Sequence, residues 1–70
     1  MTDPDTSNWY VILTETGVES VWPNEKDAAD WYYGLARRGL LTHDSVLAPF
    51  DPGDDAHWMA ARFSPQLNQR

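Results

Sequence analysis

Between Trp9 and Thr14 the chain reads Trp-Tyr-Val-Ile-Leu-Thr, apolar on both faces of an extended run, with Trp9, Val11 and Leu13 on one side and Tyr10 and Ile12 on the other. A strand with two apolar faces belongs in the middle of a sheet, covered twice. Glu15-Thr16-Gly17 then supplies a turn with a glycine available for positive φ, and Val18 to Trp22 returns as a hairpin partner. Glu19 interrupts that second strand and marks it as an edge.

The period changes after Pro23. Asn24, with Asp27 three residues on, is an N-cap pattern, and Glu25 and Asp27 place carboxylates where the first turn of a helix favours them. A helix is expected from Glu25 to Arg38, with Ala28, Trp31, Tyr32 and Leu35 on one stripe and Lys26, Asp30 and Arg37 on the other. Gly39 follows as the C-terminal cap, and Leu40 can fold back on Leu35. Ser45 to Phe50 reads as a third strand after a short loop containing His43 and Asp44. The crossover rule for strand-helix-strand units sets this strand beside the first.

The last element is open to two readings. Asp51 as a cap, Pro52 in the first turn and the acids Asp54 and Asp55 suit a helix from Pro52 to Phe63, turning Ala56, Met59, Ala60 and Phe63 inward. Alternatively Asp51 to Asp55 form a turn and His57 to Phe63 a fourth strand. Ala and Met favour the helix. The expected fold is therefore α+β: a small ββαβ(α) domain with a three-stranded sheet in the order 2-1-3, or ββαββ in the alternative. Residues 1–8 read as a flexible leader, 9–63 as the single domain and 64–70 as a flexible tail.

Composition narrows the functional classes. Seventy residues allow one small domain, and with no cysteine there is neither a disulfide framework nor a thiolate metal site. The N-terminus lacks the pattern of a signal peptide and no stretch is long enough to span a bilayer, so a cytoplasmic setting without membrane contact is expected. The net charge of −6 is concentrated in residues 1–30, where Lys26 faces seven acids; such a field repels nucleic acid and favours basic surfaces. Four arginines against one lysine, with abundant Ala, Asp and Trp, match the coding habit of a GC-rich bacterial or phage genome.

Catalytic chemistry finds little support. His43, Asp44 and Ser45 have the residue types of a hydrolytic triad, but sequence neighbours cannot align as nucleophile, base and orienter. Asp51, Asp54, Asp55 and His57 form the densest group of metal-ligand types, yet their spacing fits no calcium loop and reads as a capped, solvated turn. No enzyme, metal or other cofactor is expected.

The aromatics carry the remaining signal. Four Trp, three Tyr and two Phe are many for so small a core. Trp9, Trp31, Tyr32 and Phe63 fall on the stripes expected to be buried. Tyr10, Trp22, Tyr33 and Trp58 fit less well and are the candidate partner-binding anchors, with Glu19, Asp54 and Asp55 as an acidic rim. The expectation is an acidic interaction module, an accessory or inhibitor protein that binds a partner protein or a second copy of itself. The alternative is a nucleic-acid mimic whose acids block a basic groove.

Overall fold

The computed structural model describes residues 5–68; the first residues of the expected leader and the last two of the expected tail lie outside them. The elements are β1 (Tyr10–Thr14), β2 (Gly17–Trp22), α1 (Glu25–Arg37), β3 (Val46–Pro49), α2 (Asp55–Arg62) and a 3-10 turn at Pro65–Asn68. The three strands form one sheet in the order β2-β1-β3, with β1 antiparallel to both neighbours. β2 and β3 therefore run parallel on either side of β1, and α1 is the crossover that joins them. The α+β arrangement anticipated from the hydrophobic pattern is the observed one, with the last element a helix rather than a fourth strand.

Local chemistry accounts for the boundaries. Gly17 closes the hairpin at φ +127, where a side chain would be strained, and the Thr14 hydroxyl bonds to the Gly17 carbonyl across the turn. Asn24 caps α1, its Oδ1 accepting from the Asp27 amide at 2.8 Å. At the other end Gly39, at φ +71, lets its own amide reach the Ala36 carbonyl and the Leu40 amide reach the Leu35 carbonyl, both at 3.0 Å. Leu40 itself stays exposed rather than folding onto Leu35.

The hairpin contains an irregularity that sets the rest of the molecule. Ile12 pairs with Ser20, but Leu13 pairs with Val18, so Glu19 is an extra residue in a β-bulge. Without the bulge Val18 and Val21 would point to opposite faces of the sheet. With it, both join Val11 and Leu13 on the face covered by α2, where Val11 and Val21 are fully buried. Ser20 and Trp22 are turned with Ile12 and Tyr10 towards α1, whose Ala28 and Leu35 are buried.

An aromatic group closes the α2 side. Phe50, Trp9 and Trp58 meet edge to face with centroids 5.0 to 5.9 Å apart. The Phe50 amide continues the β1–β3 ladder onto the Trp9 carbonyl. This group decides how α2 sits, and it differs from the expected orientation. His57 and Ala61 face the sheet, Trp58 packs beside them, and Met59 and Phe63 point outward, 60% and 81% exposed. Both stripes of the helix are apolar, and the one bearing Trp58 wins because a Trp covers more surface than Met and because its indole N–H finds the Pro52 carbonyl at 2.8 Å. Trp58 is thus half-buried and packed against the core.

The cap also moves. Asp54, not Asp51, caps α2 by accepting from the Ala56 amide, while Asp51 holds the preceding turn through the Gly53 amide. The segment expected as a free tail is used as well. Val21 lies on the outer edge of β2, and its amide donates to Ser64 Oγ at 3.3 Å while its carbonyl accepts from Gln66 Nε2. Both polar groups of the exposed edge at this point are occupied by the chain beyond α2.

Candidate functional site

The anchors proposed from composition do not gather on one surface. Trp58 packs half-buried against the core, and Asp54 caps α2 with Asp55 in its first turn, on the opposite side of the sheet from α1. Tyr33 stands on the solvent side of α1, 61% exposed, edge-on to Tyr32. Tyr10 is half-buried in β1 opposite Trp22. Trp22 and Glu19 come together beside α1, with Tyr10 next to Trp22 in the sheet, and the residue that completes their surface is Trp31, expected in the core but 37% exposed.

Trp22 projects from the end of β2 and Trp31 from the middle of α1, and their rings lie 5.6 Å apart at 37°. Asp27, one turn back along α1, and Asp30, next to Trp31 in the chain, complete an open pocket of about 270 Å³ beside the two indoles. Hydrogen bonds fix the ring orientations. The Trp31 indole N–H donates to Glu19 Oε1 at 3.0 Å; the Trp22 indole N–H donates to Ser20 Oγ at 2.8 Å, and that hydroxyl donates in turn to the same Glu19 oxygen at 2.6 Å. Both indole donors are consumed inside the protein. What the pair offers outward is ring surface, held in place by the protein's own hydrogen bonds.

The charge around this shelf is negative. Glu19, Asp27 and Asp30 flank it, Asp27 held by the Asn24 amide group and Asp30 by an exposed 3.9 Å pair with Lys26. Exposed pairs of this kind contribute little. Arg38 lies over the Trp31 ring with its guanidinium carbon 5.8 Å from the centroid, so the chain's own cation already occupies one ring face. No family model, curated protein or solved structure matches this chain.

Asp27 and Trp31 are four residues apart and so neighbours on the surface of α1, but the apolar stripe assigned Trp31 to the core. That Trp22 would join them depended on the bulge at Glu19, which no local pattern in β2 announces.

The other candidate chemistry is structural. His57 Nδ1 accepts from the Asp51 amide at 3.0 Å, which assigns the proton to Nε2, 3.5 Å from an Asp54 oxygen. The imidazole is buried and closes the turn that leads into α2. Ser45, also buried, accepts from the Thr42 amide, and Asp44 lies beside an exposed His43. Among the described residues no group of three His, Cys, Asp or Glu side chains could hold a metal ion, and no helix is long and apolar enough to cross a membrane. One carboxyl departs from its ordinary range: the Ser7 hydroxyl and amide hold the Asp5 carboxyl below it, at a fully exposed position in the described N-terminal turn.

Proposed function

We propose that the protein is a non-enzymatic interaction module that grips a basic segment of a partner protein on the Trp22–Trp31 shelf. The observation that carries this reading is the anchoring of both indole N–H groups to Glu19, one directly and one through Ser20. Side chains immobilised beforehand lose little conformational freedom on binding, and Trp is the residue type most enriched among interface hot spots. The rings select for flat or aliphatic surface and the flanking carboxylates for positive charge, so an Arg or Lys side chain, laid on an indole with its head group towards Asp27 or Asp30, satisfies both. Arg38 over Trp31 is the same interaction made within the chain. An accessory or inhibitory role in the cytoplasm of a bacterium or its phage fits a module of this size and charge.

The test is capture from source-cell lysate on immobilised protein at about 0.05, 0.15 and 0.5 M salt, over which the Debye length falls from about 14 Å to about 4 Å. A Trp22→Ala, Trp31→Ala double variant with unchanged circular dichroism runs in parallel. A protein retained through the highest salt by the parent chain and lost by the double variant is the expected result. Retention that ignores the tryptophans and disappears by 0.15 M overturns the shelf in favour of phosphate mimicry by the acids. The acids required for such mimicry, in residues 15–30 and 51–55, sit largely on different layers of the fold, which is why it is not preferred.

A further inference from the structure

The outer face of α2 is left uncovered by the fold. Ala56, Met59 and Phe63 recur at helical spacing on the side turned from the sheet, and Phe63, at 81%, is the most exposed large apolar side chain among the described residues. Beside them a shallow groove of about 380 Å³ runs between the helix and the hairpin tip, with Gly17 and Val18 on one wall and Ala56, Met59 and Phe63 on the other. Asp55 and Arg62 border this stripe at the two ends of the helix, both exposed, and among the described residues neither takes part in an ion pair.

We infer that a second copy of this chain covers the face, two α2 helices packing antiparallel about a twofold axis with Phe63 of each seated in the groove of the other. The charge layout selects this occupant. Asp55 and Arg62 are seven residues apart, roughly 10 Å along the axis, so an antiparallel twin brings each carboxylate towards the other copy's guanidinium, whereas a parallel one stacks like charge on like. The twofold repeats the pair, so one helix supplies both halves of its own complement. The same superposition brings Phe63 near Ala56 of the second copy and Met59 near its Ala60, large against small. This surface lies on the α2 side of the sheet, and its occupation is independent of the Trp22–Trp31 shelf.

An eight-residue helix and a hairpin tip make less than the roughly 800 Å² per partner of a standard interface, so the dimer is expected to form in the range of about 10 µM to 1 mM. Sedimentation equilibrium across that range at about 0.15 M salt, where the Debye length is about 8 Å, reads it directly. The mass should rise from 8.0 kDa towards twice that value, and Phe63→Ser should hold it at the monomer. Asp55→Arg and Arg62→Asp each place like charges opposite one another in a homodimer, and each alone should stay monomeric. Mixed in equal amounts they should associate, because the mixed pair restores both opposite-charge contacts while both chains remain net acidic. Circular dichroism of each variant checks that α2 is intact. A constant 8.0 kDa up to 1 mM overturns the inference, as does a dimer that Phe63→Ser leaves unchanged or a mixture that associates no better than its components.

Discussion

Trp31 and Trp58 exchange the roles that their positions in the chain suggest. Trp31 lies on the apolar stripe of α1, yet its N–H reaches Glu19 and its ring shares the surface with Trp22. Trp58 adjoins the most exposed stripe of α2, yet it packs edge to face against Trp9 and Phe50. Truncating Trp58 opens a hole in a core with few large side chains to spare, and Trp58→Ala is expected to cost about 3 kcal/mol in urea unfolding. Trp31→Ala removes a ring that is partly exposed and lies outside the core cluster, and should cost less, about 1–2 kcal/mol. Equal losses, or the reverse order, would place α2 in the orientation that turns Met59 and Phe63 inward. His57 belongs with Trp58 in this respect: its Nδ1 takes the Asp51 amide and so helps to hold the aromatic group against the turn.

The edge of β2 shows how much one element depends on a segment far along the chain. Ser64 joins two elements at once, accepting from the Val21 amide and donating to the Ala60 carbonyl at the end of α2. Ser64→Ala leaves a buried amide without a partner, which should cost about 1–3 kcal/mol. Hydrogen exchange locates the effect, because the Val21 amide should lose protection before the amides of β1 do; unchanged protection would mean that solvent already serves this edge. Elements defined by contiguous signals were legible in the sequence: the doubly apolar β1, the Asn24 cap and the Gly39 terminus each state their structure locally. What escaped was set by choices between elements. α2 has two apolar stripes, and only Phe50 and Trp9, distant in sequence, decide which is buried. Ser64 and Gln66 read as tail because polar residues beyond a helix carry no sign of the strand edge they will meet.

At the scale of the molecule, the sheet separates two surfaces of different character. The α1 side carries the acid-flanked indoles, and the α2 side carries Phe63 and Met59 with a charge at each end. A dimer through α2 would leave both shelves facing outward, so that a partner with two basic segments would gain by linkage without any new contact. The link between the two sides is the bulge, since it admits Val18 and Val21 together to the core and leaves Glu19 over for Trp31. Removing Glu19 should restore an unbroken ladder with Val18 still opposite Leu13 and Ser20 still opposite Ile12. The deletion variant is expected to unfold within about 1 kcal/mol of the parent, the range usual for changes outside the core, while the Trp31 indole N–H loses its slowed exchange in proton NMR. Collapse of the fold on deletion would show that the bulge supports the core itself. In genetic terms the hairpin is one codon longer than its packing requires, and a single in-frame insertion is enough to give a plain strand edge a carboxylate that fixes two indoles while every buried residue keeps its neighbours.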